Sequence, residues 1–293
     1  MPTLTADAHV HSEWSWDAAS DPASVGAMDR ICERAVRIGL PAVVFTEHLD
    51  FEDAWRADDG DIGEHAQKNI DDTGHVRLPV FDLDGYLSSI ERVRGRYPEL
   101  SILTGVEFGQ PHVWESRASD VLSSGTIDRV NGSLHMLPFD LDADRAGEHR
   151  GDRTEPTTLY RYHPAADVMC AYLEEIPRMV AGSNAFAVFT HIDYAVRSWP
   201  TATAGPFDPR DFEEGFRMAM RSIAQSGRAL EMNTKRLWSW IPQWWAEEGG
   251  HAVSFGSDAH EASALAANFP EAMAMVEHFG FHPGSRPEDF WTR

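Results

Sequence analysis

Seven short apolar runs in this 293-residue chain each lead into residues that can bind a metal. They begin at Asp7-Ala8-His9-Val10-His11 and end at Gly256-Ser257-Asp258-Ala259-His260. Between these two, the runs lead to Glu47-His48, Glu107, His135, His191, and Glu231 with Asn233. Side chains alternate along a strand, so His9 and His11 share one face and can hold the same ion. A core tolerates imidazoles and carboxylates only where something pairs them, and seven such run-ends in series point to a polynuclear metal site.

Strands and helices are predicted to alternate. Strands are expected at 4–9, 42–46, 101–106, 128–133, 185–190, 228–232 and 252–256. The 42–46 run is continuously apolar, as in a parallel strand covered on both sides. Helices are expected at 27–38, 83–97, 164–179, 208–225, 240–248 and 262–279, with a short helical segment at 120–122. In the first helix Met28, Ile31, Ala35 and Ile38 share one face and Gly39 closes it.

Chemistry at every strand's C-terminal end, with helices between strands, predicts an α/β fold: a distorted (β/α)7 TIM-like barrel with the metal site at the C-terminal ends of the strands. Residues 1–293 read as one domain, with no linker, repeat or low-complexity tract. Two irregular stretches, 51–79 and 138–163, each follow a strand end. They are expected over the catalytic face as lid or pocket wall, with solvated insertions as the alternative for their outer parts.

Composition narrows the partners. With 25 Lys+Arg against 47 Asp+Glu, the net charge is -22, which argues against a stable nucleic-acid partner. The acidic surface is read as a solvated one, or as steering for a cationic substrate. Cys32 and Cys170 lie in helical apolar patterns, without disulfide or zinc spacing, and are expected in the core. No leader-like or membrane-spanning segment is evident, so a cytoplasmic location is expected. Lys68 and Lys235 are the only lysines, and nothing in the sequence assigns them a function. Oligomeric state is left open.

Taken together the motifs resemble the PHP (polymerase and histidinol phosphatase) superfamily of metal-dependent phosphoesterases, over essentially the whole chain. They are Asp7-Ala8-His9-Val10-His11-Ser12 with Asp17, Thr46-Glu47-His48, Gly105-Val106-Glu107, Gly132-Ser133-Leu134-His135, Thr190-His191-Ile192-Asp193, Glu231-Met232-Asn233 and Ser257-Asp258-Ala259-His260. The run 129–138, His191 and Asp193 with Arg197 behind them, and Glu231 with Asn233 and Thr234 look most like the histidinol-phosphatase branch.

The resemblance implies three divalent metal ions: Zn, Mn or Fe, with Mg also compatible. His9, His11, Glu107 and Asp258 would hold the first; Glu107, His135 and His191 the second, with Glu107 bridging; Asp17, His48 and His260 the third. Three or four protein ligands per ion leave positions open for water and substrate. Some histidinol phosphatases carry a histidine at the Asp17 position; the harder carboxylate here tilts that site away from Zn²⁺.

The implied reaction is hydrolysis of a small phosphorylated metabolite, with L-histidinol phosphate the expected substrate, by a hydroxide bridging two ions. Asp258, His260 and Arg197 are the expected catalytic residues, and Arg197 and Asn233 the expected substrate contacts. Arg197 reads as a clamp on a phosphate oxygen or as a surface salt bridge; Asn233 as a substrate contact or a structural hydrogen-bond partner. The leaving group would take its proton from metal-bound water, His260 or a loop histidine.

Loop residues His65, His75, His112, His149 and His163 read as solvated or as touching substrate, and His251, His278 and His282 as structural. Trp238, Trp240, Trp244 and Trp245 pack a core or wall a flat substrate group. Glu47 and Asp193 are expected to orient the neighbouring imidazoles.

Three rival readings compete. A barrel hydrolase of C–N bonds would need a modified lysine on strand four, where neither lysine lies. A nucleotide or oligonucleotide phosphatase or phosphodiesterase stays within the same superfamily. A non-enzymatic regulatory metal-binding domain fits poorly with an intact ligand set.

Overall fold

The computed structural model describes residues 4–18, 24, 26–58, 62–64, 66–141 and 151–293. His65 and His149 lie outside the described residues. Among the described residues the strands are β1 Asp7–Val10, β2 Ala42–Leu49, β3 Ser101–Gly109, β4 Arg129–Ser133, β5 Leu137–Pro138, β6 Arg153–Thr154, β7 Val188–Phe189, β8 Ala229–Asn233, β9 Ala252–Gly256 and β10 Trp291–Thr292. The longer helices are α1 Met28–Ile38, α2 Leu83–Arg96, α3 Pro156–Tyr162, α4 Ala165–Gly182, α5 Glu213–Gln225, α6 Trp240–Glu247 and α7 Phe269–His278.

One curled sheet carries the order β1-β2-β3-β4-β7-β8-β9-β10, parallel except for β10. Its edges meet at the C-terminal end: Asp258 N–H donates to His9 O at 2.8 Å and His11 N–H to Ala259 O at 2.9 Å. At the other end the chain's tail fills the seam. There β10 pairs antiparallel with β9, the Trp291 indole donates to Thr5 Oγ1 at 3.2 Å, and Ala6 N–H donates to Pro287 O. The seven parallel strands thus form the distorted TIM-like barrel, with β10 as a wedge that the period-based reading lacked.

Burial follows the strand positions. Every residue of β2 is buried, as expected for a strand covered on both faces. Helix α1 buries Met28, Ile31, Cys32 and Ala35, and Gly39 ends it at φ 71°. Cys170 is exposed, which corrects its expected core position: on α4 the inward face is taken by Val168, Met169, Tyr172 and Leu173.

Two further expectations change. The last helix does not begin at 262; a 3-10 turn at Ala262–Ala264 and positive φ at Ala266 and Asn268 come first. Pro270 sits in the first turn of α7, where its missing N–H would have no helical partner; further inside a helix begun at 262 it would break the bonding, so the helix starts at Phe269. The irregular stretches are also more ordered than loops. Strand β5 pairs antiparallel with β6, and α3 follows β6. Arg56 N–H donates to Arg153 O, and Arg153 N–H to Ala54 O, both at 2.8 Å. Trp55, Ala57, Ile62, Ala66, Val76 and Met136 form a small core with Trp16 against it, so the described part of 51–79 is packed rather than loose. Among the described residues no helix is long and apolar enough to cross a membrane.

Candidate metal centre

Parallel register delivers the strand ends to one level. Residue His48 of β2 lies opposite Glu107 of β3, and Gly109 opposite Ser133 at the end of β4. Five imidazoles from the ends of β1, β2, β4 and β7 then surround the Glu107 carboxylate, which is 1% exposed. Its Oε2 lies 3.3 Å from His9 Nε2, His11 Nε2 and His48 Nδ1. Its Oε1 lies 3.2 Å from His135 Nε2 and 2.7 Å from His191 Nε2. Asp258 Oδ1 faces His11 Nε2 at 3.6 Å and His260 Nδ1 at 3.7 Å. Asp17 Oδ2 sits 2.9 Å from His260 Nε2 and 3.4 Å from His48 Nε2.

The remaining ring atoms are held from behind. Both oxygens of Glu231 lie 3.1 Å from His9 Nδ1, and Glu231 also accepts the His191 N–H. His11 Nδ1 meets Ser15 Oγ at 2.9 Å, and that hydroxyl donates to Glu47 Oε2 at 2.7 Å. A ring that donates through Nδ1 carries its lone pair on Nε2, aimed at the cluster. Glu47 therefore acts on His11 through Ser15 rather than on its neighbour His48. Burial pushes its carboxyl up to about 7, against bonds from Ser12 and Ser15.

These residues fit divalent cations. His9 Nε2 and His11 Nε2 are 3.1 Å apart, and His135 Nε2 and His191 Nε2 3.4 Å. Two ring nitrogens that close need a proton or a metal ion between them, and rings whose Nδ1 donates elsewhere turn lone pairs toward the cluster, as metal ligands do. Asp17 Oδ1, His48 Nδ1 and Asp50 Oδ1 are buried without a hydrogen-bond partner. Donor atoms lie within mutual reach in the sets His11, His48, His260; His9, Glu107, His191; His9, His11, Asp258; and His48, Asp50, His135. Burial opposes ionisation of Glu107, but His9 and His135 hold its carboxyl well below the usual range. Burial likewise opposes the Asp258 charge, and Lys235 and Arg197 reverse that effect.

Arg197 lies in the pocket wall, on a 3-10 turn at Tyr194–Ser198 after β7. Its side chain is 20% exposed, Nη1 donates to Asp258 Oδ2 at 2.9 Å, and Nη2 is buried without a partner. Burial disfavours its charge; Asp258 and Asp193 outweigh that and hold its pKa above the usual arginine value. Asn233 is placed away from the pocket lining: its amide donates to Glu231 Oε1 and accepts the Lys235 N–H, both at 3.1 Å. Asp193 accepts the Trp238 indole at 3.1 Å rather than an imidazole.

The tryptophan segment is core. Trp240 packs at a tilt against Phe216 and Trp244, and none of Trp238, Trp240, Trp244 or Trp245 lines the pocket. His75 meets Asp152, His112 pairs with Glu175, and His163 donates to Phe139 O, all outside the pocket lining. Sequence reasoning missed Trp16, Asp50, Glu155, Tyr194 and Lys235 in that lining. Asp50 had a signal, since it stands two positions past His48 on the same strand face. Gly109 makes room for it: a Cβ there would fall 1.9 Å from Asp50 Oδ1.

A probable histidinol-phosphatase of Clostridium acetobutylicum is 24% identical over 238 residues, 76% of this chain and 87% of that protein. The histidinol-phosphatase of Lactococcus lactis subsp. lactis is 22% identical over 289 residues, covering 94% of this chain and 91% of the relative. The crystal structure of histidinol phosphate phosphatase from that organism, complexed with Zn, L-histidinol and phosphate, superposes with a TM-score of 0.71 at 21% identity, covering 95% of this chain and 94% of that one. The PHP domain pattern matches residues 7–235, from the His9/His11 strand to Lys235, and the chain belongs to the PHP domain family.

Proposed function

We propose that the protein removes phosphate from L-histidinol phosphate in a metal-dependent reaction. It is a phosphoric monoester hydrolase. The observation that carries the reading is Arg197, whose buried Nη2 has no partner and whose guanidinium lines the same pocket as the Glu107-centred histidine cluster. Such a pocket recognises an anion from two sides. Histidinol-phosphatase relatives, one of them in complex with Zn, L-histidinol and phosphate, support the substrate.

Three ions are proposed, Zn, Mn or Fe with Mg compatible: one on His9, His11, Glu107 and Asp258, one on Glu107, His135 and His191, one on Asp17, His48 and His260. When bound, they supply Lewis-acid charge and make water acidic enough to attack at neutral pH. The protein's residues do the positioning. Arg197 binds a phosphate oxygen and is steadied by Asp258 and by the Tyr194 ring, 5.3 Å from its guanidinium carbon. Trp16, Asp50, Glu155 and Tyr194 line the pocket too, an aromatic and acidic surface suited to the imidazole and amine of histidinol. Among the described loop histidines, His75, His112 and His163 are engaged elsewhere, and His260, which lines the pocket, or water is the proposed proton donor to the leaving oxygen.

The test is phosphate release from L-histidinol phosphate, nucleoside monophosphates and p-nitrophenyl phosphate by protein loaded with Zn²⁺ or Mn²⁺ and by protein stripped with chelator. Metal-dependent turnover with preference for L-histidinol phosphate is expected. Preference for the nucleotides would reassign the substrate, and no metal-dependent turnover of any ester would overturn the reading.

A further inference from the structure

Two cations share one carboxylate oxygen at the edge of the cluster. Asp258 Oδ2 accepts from Arg197 Nη1 at 2.9 Å and from Lys235 Nζ at 3.2 Å, while Oδ1 faces His11 and His260. If Asp258 also serves a metal ion, one of these cations is surplus to its charge. The two are held differently. Arg197 lies over Tyr194, and its side chain is 20% exposed; the Lys235 side chain is 45% exposed, with Asp258 as the only carboxylate paired to its ammonium among the described residues.

The backbone under that half-exposed side chain is tied down. Lys235 N–H donates to Asn233 Oδ1, Asn233 Nδ2 donates to Glu231 Oε1, and Glu231 holds His9. Thr234 N–H donates to Gly256 O at 2.8 Å. The Lys235 Cα is thus tied to the scaffold that carries the metal ligands, while its four-carbon stem can swing. The chain draws nearly all its positive charge from arginine and has only two lysines, yet one of them stands here.

We infer that Lys235 is a second phosphate-binding cation, which moves from Asp258 Oδ2 to a non-bridging oxygen of the substrate's phosphoryl group while Arg197 keeps its place. The inference rests on the phosphomonoesterase reading above. Asn233 then serves as a positioning residue, acting through the Lys235 backbone.

The experiment uses the metal-loaded full chain with Lys235→Gln and Lys235→Arg. It measures metal content, binding of inorganic phosphate by calorimetric titration, and kcat/KM on p-nitrophenyl phosphate and an alkyl phosphomonoester. Lys235→Gln should keep its metal, and its phosphate affinity and its kcat/KM on both esters should fall alike, by about ten- to a hundredfold. Lys235→Arg should recover part of each. Parent-like phosphate affinity in Lys235→Gln overturns the inference, as does a loss confined to the alkyl ester or one that tracks lost metal. If the parent hydrolyses no phosphomonoester, the functional reading falls, and the phosphate titrations decide the lysine's role by themselves.

Discussion

Asp7 and Ser257 are bonded twice across the barrel seam: the Ser257 N–H donates to Asp7 Oδ1 at 2.9 Å and its hydroxyl to Oδ2 at 2.6 Å. Ala266 N–H adds a third bond, to Oδ2, at 2.9 Å. This buried carboxylate fastens the first strand to the end of the last parallel one, beside the points where His9, His11, Asp258 and His260 emerge. Burial pushes its pKa up to about 6, against the Ser257 and Ala266 bonds.

A pH dependence follows. A folded-state pKa above the ordinary 3.8 means that the native protein holds the proton more tightly. The stability from this group is present in full below about pH 4 and is lost as pH rises through about 6. In chelator-treated protein, the unfolding free energy of the parent relative to Asp7→Asn should fall by roughly 2 kcal/mol between pH 4 and pH 7. Denaturant titrations at several pH values measure this, and a difference independent of pH would refute it.

Glu107→Gln keeps the side chain's size and removes the charge shared by five imidazoles. Metal content should drop, and turnover should fall by about a hundredfold or more. Elemental analysis alongside kinetics checks this; full metal with near-parental turnover would remove Glu107 from the centre.

Asp17→Asn should weaken one ion only, because the Asp17 carboxylate reaches His48 and His260 and no other imidazole of the cluster. About two ions per chain should remain by elemental analysis. A full complement with unchanged kinetics would show that Asp17 is not a ligand.

Arg197→Ala should lower kcat/KM by some tens to several hundredfold, about 2 to 4 kcal/mol, without releasing metal. Arg197→Lys should restore only part of the loss, since an ammonium lacks the paired donors of the guanidinium. Parental turnover in the alanine variant would show that the phosphate is held elsewhere.

Much of the centre was legible in the chain because its signals are local. Apolar runs announce the parallel strands, and period-two spacing puts His9 with His11 on one face; the family motifs pick out the carboxylates and imidazoles that the structure brings together. What only the tertiary structure decided depends on contacts between segments far apart in sequence. The tail strand enters the seam because Trp291 meets Thr5, 286 residues away. Asp193 turns to the Trp238 indole, the backbone of Ala54 and Arg56 bonds to Arg153 of β6, and Arg197 and Lys235 converge on one oxygen of Asp258. Periodicity specifies which face of a strand a residue occupies. Which strand lies alongside, and where a long side chain ends, are set by packing and charge once the sheet has curled.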